Sequence, residues 1–271
     1  IGQNLGLAIG GVVGGFLVDL HSPTGSRPAY AFAAPCSLVG AVLVAAVGRH
    51  VRPTTVPTDG TVETVGYRQV FRTPGVRWML AVTVLLTLAC YAQFDSGLPA
   101  YALSVLSVPP TALGTAVAVN AVLVAVLTAP VVRATRRVAP GALLATCAGI
   151  WIGVWLVLAA PMLHVGSGTA FVIAGYGLFS VGETMLAPVL TPLAAALAPE
   201  GAAGRTLAAM SGAQTLATAV GPGLSGVLLA LGLPVGFVVM QLLCCALAIV
   251  GARRLHLVLA SPRRSDVALA R

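Results

Sequence analysis

Eight long apolar runs divide this sequence, at roughly residues 2–19, 28–48, 76–98, 110–132, 140–160, 168–198, 206–231 and 233–252. Most reach the ~20 residues that an α-helix needs to cross a hydrocarbon core ~30 Å thick. None alternates polar and apolar residues over short segments, as a transmembrane β-strand would. With 58% hydrophobic and only 8% charged residues, the chain lacks the charge that covers a soluble domain. The runs therefore predict an all-α polytopic membrane protein with eight transmembrane helices, its main partner a lipid bilayer.

Arginine orients those helices. The chain has no lysine, and fourteen of its fifteen arginines fall in the loops on one side of an eight-span path. They are Arg49, Arg52, Arg68, Arg72 and Arg77, then Arg133, Arg136 and Arg137, then Arg205, then Arg253, Arg254, Arg263, Arg264 and Arg271. Arg27 alone lies opposite. Positive loops stay inside, so the sequence predicts a multi-pass protein of the cell membrane with both ends of this segment cytoplasmic. The net charge of +8 then reflects topology. Nucleic-acid binding would gather the arginines on one face with aromatics between them, and here they are scattered over short loops.

The first and seventh runs carry a related pattern. Gly10-Gly11-Val12-Val13-Gly14-Gly15 and Gly221-Pro222-Gly223-Leu224-Ser225-Gly226 lie 211 residues apart. That offset suits one half of a duplicated secondary transporter. Gly6, Gly10 and Gly14 are four apart and share a helix face, which Gly15 widens; small residues at this spacing let backbones touch in lipid. Pro222 removes a backbone donor and bends its helix. Two readings stay open, a bendable seam between helical bundles and plain helix packing. On the first, valine at Gly10 or Gly14 would hold the helices apart.

The longest polar stretch, 49–75, holds Pro53, Pro57, Asp59, Gly60 and Glu63 and predicts a cytoplasmic linker. Within it, Tyr67 to Phe71 suits a short amphipathic surface helix. The expected organisation is residues 1–48 as the last two helices of one bundle, 76–255 as a six-helix bundle, and 256–271 as a cytoplasmic tail. Ile1 opens directly on the first apolar run. The repeat offset predicts four helices and about 135 residues before it, which a complete transporter would need.

On these residues the chain resembles the major facilitator superfamily, and within it the drug:proton antiporters of twelve transmembrane helices. Gly6, Gly10, Gly14 and Gly15 match the antiporters' Gly-x-x-x-Gly-Pro-x-x-Gly-Gly on the fifth helix, with Gly11 at the proline position. Gly221, Pro222 and Gly226 match a degenerate copy on the eleventh, with Ser225 at a glycine position. Arg133-Ala134-Thr135-Arg136-Arg137 echoes the superfamily's arginine-rich turn, although Val132 stands at its aspartate and Thr135 at its glycine. The resemblance implies helices five to twelve of a partial major facilitator fold. It also implies proton-coupled efflux of a small, largely apolar compound by alternating access, with no cofactor.

Two acids lie within apolar runs. Glu183 sits midway along 168–198, where a carboxylate costs about 2.5–3.5 kcal/mol on insertion scales and must face a cavity or a partner. Helical spacing puts Tyr176, Ser180, Glu183, Thr184 and Thr191 on one polar stripe. Glu183 is read as a proton carrier, against the alternative of a structural hydrogen bond to a neighbouring helix. Asp95 ends a second stripe, Thr83, Thr87, Tyr91 and Asp95, about 28 Å along its helix from Val76. That depth allows either a role in proton coupling or a solvated place at headgroup level. By the resemblance, the two acid-bearing helices are cavity-lining helices seven and ten.

Gln214, Thr218 and Asn120 are candidate cavity residues or interhelical hydrogen-bonding groups. Trp151 and Trp155 share a face and are expected to anchor in lipid. Cys36, Cys90, Cys147, Cys244 and Cys245 lie within the runs and read as small packing residues. His21, His50, His164 and His256 show no metal-ligand spacing, and no nucleotide loop or hydrolase elbow is present. The rival functions are an intramembrane enzyme in which Asp95 and Glu183 share a proton, and a non-transporting relic. The unequal depths of the two acids weigh against the first.

Overall fold

The computed structural model describes residues 2–18, 22, 24–48, 66–163 and 166–260. Arg49, Arg52, most of the expected linker, His21, His50, His164, the tail beyond 260 and its three arginines lie outside the described residues. Every regular element described is helical: α1 Gly2–Leu17, α2 Arg27–Gly48, α3 Tyr67–Arg72, α4 Pro74–Leu86, α5 Leu98–Ser104, α6 Pro110–Thr135, α7 Pro140–Ala159, α8 Gly168–Leu197, α9 Ala203–Ala230 and α10 Pro234–Ala260. Between α4 and α5 the helix continues without a break through two π turns, Thr87–Tyr91 and Gln93–Gly97.

Four helices begin on a proline, Pro74, Pro110, Pro140 and Pro234, where the missing N–H costs no intrahelical bond. The α9–α10 hairpin turns on Gly232, whose φ is +69°. Its N–H donates to Leu229 O, and the N–H of Leu233 reaches Leu228 O at 2.9 Å, a Schellman closure that needs a left-handed residue.

Among the described residues seven helices are long and apolar enough to cross a membrane, against the eight expected. The difference is α1. Its 16 residues span about 24 Å, short of a full hydrocarbon core, although it packs along α6. Pairs α6–α8, α7–α8, α7–α10 and α4–α10 form the body of the bundle, and α9 closes it against α4 and α8. The helix expected at Tyr67 is α3, which turns Val70 inward and leaves Tyr67 and Phe71 exposed.

Aromatic side chains fill the centre, and here the sequence reading needs correction. Trp151 and Trp155 are buried, with 0% and 2% of their surface exposed, instead of facing lipid. Trp151 stacks on Phe179 with centroids 5.2 Å apart, and Tyr91 meets both rings edge-on. In a dry interior each polar tip must find an acceptor. Trp151 Nε1 donates to Phe179 O at 3.3 Å and Tyr101 Oη to Leu158 O at 2.9 Å.

The π turns explain the remaining tips. Their i→i+5 pattern takes carbonyls out of the ordinary helical ladder. Side chains claim several of them: Gln93 Nε2 donates to Leu88 O at 2.9 Å, Trp155 Nε1 to Ala89 O at 3.0 Å, and Tyr176 Oη to Phe94 O at 3.2 Å. The wider turns are thus held from α7 and α8. They also straighten the polar stripe. Residues four apart drift by about 40° per step on an α-helix. Turns with more residues offset that drift, and Thr87, Tyr91 and Asp95 line one cavity.

The glycine patterns also diverge from expectation. A Cβ on Gly15 would meet the Pro110 carbonyl oxygen at 2.9 Å and Thr111 Cα at 3.4 Å, so this glycine seats α1 on the start of α6. Gly6, Gly10 and Gly14 face nothing within 4 Å, so they do not form the expected seam among the described residues. On α9, Gly221 abuts Ala92 of the π segment, whereas Gly226 faces open space. Ser225 donates from Oγ to Gln93 Oε1. The second copy therefore packs inside the bundle, against its own α4 extension; Pro222 lies next to that contact.

Candidate functional site

Two cavities converge on α8. The first, of about 370 Å³, is lined by Thr87, Tyr91 and Asp95 from the π stretch. Thr191 and Leu190 of α8 and Met210, Gln214 and Thr218 of α9 complete it. Asp95 is exposed, and hydroxyl and amide groups share the cavity lining with its carboxylate. The second, of about 650 Å³, lies between α6 and α8 and holds Glu183, Thr184, Thr128 and Arg133 among small apolar residues. Ala187 lines both, so the two chambers meet within one turn of Glu183.

Glu183 is half-buried, and its Oε2 accepts a hydrogen bond from Asn120 Nδ2 at 3.4 Å. The same Nδ2 lies 3.5 Å from Tyr176 O. α6 thereby supplies the donor that a carboxylate in low dielectric requires. What the arrangement can do chemically is hold a proton at either carboxyl and expose one of them to a solute-sized space.

The expected site residues divide into three groups. Thr87, Tyr91, Asp95, Gln214 and Thr218 share the first cavity. Asn120, Glu183 and Thr184 meet at the second, although the Thr184 hydroxyl is spent on Val181 O at 2.8 Å. Tyr176 and Ser180 do not line either cavity. Both are fully buried, Tyr176 bonded to Phe94 O and Ser180 Oγ to Gly177 O at 2.6 Å. Their place on the stripe faces the helix packing around α8 instead.

Sequence reasoning missed Arg133, read as a loop cation but set on the Glu183 cavity by the last turn of α6. It also missed the Gln93–Ser225 bond across α4 and α9. A signal was present: Ser225 puts a hydroxyl at a glycine position, and Gln93 is an amide within an apolar run.

A sequence profile described as the Major Facilitator Superfamily matches residues 1–163, more than half of the chain. The chain belongs to the Major Facilitator Superfamily. Membership sets it in a membrane, as part of a multi-pass transporter fold. Among solved structures, a POT family transporter in complex with 5-aminolevulinic acid is similar, with 14% identity and a TM-score of 0.51. The match covers 85% of this chain and 53% of that one, so the chain spans about half the length of the transporter it matches. At that identity the likeness concerns the fold alone. No curated protein matches the sequence. Within the superfamily fold, Asp95 of the π stretch and Glu183 of α8 each line one of the two cavities.

Proposed function

We propose that this major facilitator chain works in a proton-coupled exporter of a small, largely apolar compound, by alternating access. The observation that carries the proposal is the pair of carboxyls on adjoining cavities, with Glu183 tethered by Asn120 and Asp95 open to a solute-sized space. Glu183 carries the proton. Asp95, with Thr87, Tyr91, Gln214 and Thr218, contacts the substrate and takes part in coupling. Proton and substrate drive transport only if each binds the two access states with different affinity. The glycine pattern on α1 supports a drug:proton antiporter, and the arginine distribution supports cytoplasmic ends. In this reading residues 1–48 belong to one bundle, 49–75 link it to the other at 76–255, and four further helices complete the transporter.

The test uses the full-length transporter in proteoliposomes under an imposed proton gradient. Glu183→Gln keeps size and hydrogen bonding but cannot titrate. It should abolish uphill, proton-driven efflux and leave substrate binding or energy-independent exchange. Asp95→Asn should have the weaker effect on coupling. Full proton-driven efflux by the Glu183→Gln protein removes Glu183 from the mechanism.

A further inference from the structure

The turn between α6 and α7 carries a feature that proton coupling does not use. A third cavity, of about 320 Å³, opens where α6 ends, α7 begins and the last third of α8 passes. Its walls are almost wholly apolar, with Val132 from α6, Leu143 from α7, and Pro188, Pro192 and Ala196 from α8. Arg136, which is exposed, supplies the one charged group of its lining. Ala196 is next to the last residue of α8, and Pro188 lies about 12 Å deeper at 1.5 Å per residue. The groove therefore starts at the membrane surface and runs into the hydrocarbon zone. Pro188, Pro192 and Ala196 are exposed along it, and neither proline has an N–H to present.

Charge is concentrated at the same end. Arg133, Arg136 and Arg137 are all exposed, and the described structure gives none of them an acidic partner. Arg133 lines the neighbouring Glu183 cavity, which shares Val132 and Pro188 with the groove. An apolar slot that deepens into the bilayer, with cations at its surface end, matches one kind of molecule: an anion with a hydrocarbon tail. Basic pockets between transmembrane helices hold anionic lipid headgroups in this way.

We infer that the groove between α6, α7 and α8 is a binding site for an anionic phospholipid. The headgroup phosphate sits on Arg136, with Arg133 and Arg137 beside it, and one acyl chain lies along the Pro188–Ala196 face of α8. Because α8 also carries Glu183, the lipid occupies the flank of the proton-bearing helix.

The test is a lipid titration of the purified protein in a neutral detergent, followed by its unfolding temperature. Dioleoyl phosphatidylglycerol should raise that temperature saturably, whereas dioleoyl phosphatidylcholine and inorganic phosphate should not. Arg136→Gln should weaken the phosphatidylglycerol midpoint about fivefold, the effect of losing one arginine beside an anionic headgroup. Arg254→Gln changes an exposed arginine of α10 outside the groove and should leave the midpoint unchanged. Ala196→Trp fills the apolar slot without altering charge and should remove the saturable response. All three positions are exposed, and each variant's lipid-free unfolding temperature is its own baseline. Equal responses to the two lipids overturn the proposal, as does equal weakening by Arg136→Gln and Arg254→Gln, which would mean diffuse attraction. A response reproduced by inorganic phosphate alone, or retained by Ala196→Trp, would mean an anion site without a lipid slot and overturns it equally.

Discussion

The two glycine patterns, on α1 and α9, share a sequence design and differ in what they touch. On α1, among the described glycines, the last one, Gly15, is the one pressed against a neighbour, the first turn of α6. On α9 the first glycine of the pattern, Gly221, meets Ala92, and Ser225 bonds Gln93 one turn later. The partner decides which position matters. α6 offers a proline-started helix end, whose carbonyl at Pro110 projects towards α1. The π stretch of α4 bulges, and its extra residues push Ala92 and Gln93 outward, where only a glycine face on α9 fits. Small residues at a spacing of four make close approach possible. The local shape of the neighbouring helix selects the contact that forms.

This contrast predicts a hierarchy of mutational effects, with the π-segment contact at the top. Gly221→Val places a branched side chain against Ala92 Cβ, which is fixed to backbone and cannot rotate away. Overpacking of this kind costs about 1–3 kcal/mol, and the upper part of that range is expected here. The check is unfolding of the purified protein in detergent. Gly97→Ala should act similarly, because its Cβ would enter the space shared by Gln93 Oε1 and Ser225 Oγ. Wild-type stability in both variants would show that α9 does not depend on glycine to meet the bulge.

Much of this was legible in the sequence, for a physical reason. Lipid demands long apolar helices with internally satisfied backbones, so the runs from Pro110 to Thr135 and Gly168 to Leu197 announce themselves by composition. The same demand marks Glu183, since an acid among apolar residues needs a cavity or donor. What periodicity could not reveal was a departure from periodicity. Nothing in Thr87 to Gly97 spells out two π turns; the acceptors they free are taken by Trp155 and Tyr176, far away in sequence. That is why Trp155 is expected in lipid and found in the core; Trp151 joins it there through Phe179 of α8, which supplies both its acceptor and its stacking partner. Tyr176 and Ser180 were misplaced for a related reason: a polar stripe marks a face, and a face can look towards packing as readily as towards a cavity.

At the second level stands Gly15→Val. The contact is with a backbone carbonyl at 2.9 Å, but only one side of α1 is engaged, and the helix can shift along α6. A loss of about 1–2 kcal/mol is expected. A cost equal to that of Gly221→Val would show the α1–α6 contact to be as constrained as the π contact, and would erase the contrast. Ser225→Ala comes third. Interhelical hydrogen bonds in membranes average about 0.6 kcal/mol and reach about 1.7. The bond to Gln93 lies between two close glycine contacts, so an effect near 1 kcal/mol is expected. A double-mutant cycle with Gln93→Leu isolates it, and additive losses would mean that the bond contributes nothing beyond packing.

The smallest effect should come from the position that sequence reasoning ranked among the highest. Gly10 lies in the middle of α1, is exposed, and has no atom within 4 Å of where a Cβ would stand. Packing therefore gives no reason for a penalty. Backbone entropy points the other way, since alanine favours a helix interior over glycine by about 0.8–1.0 kcal/mol. Gly10→Ala should leave the unfolding temperature of this chain unchanged or raise it slightly, and Gly10→Val should not lower its stability by more than about 0.5 kcal/mol. The informative comparison repeats both substitutions in the full-length transporter. A loss confined to that protein would place the partner of the Gly6-Gly10-Gly14 face among helices outside this chain and restore the seam reading. No loss in either would remove Gly10 from the packing of the first pattern and leave the contact described at Gly15.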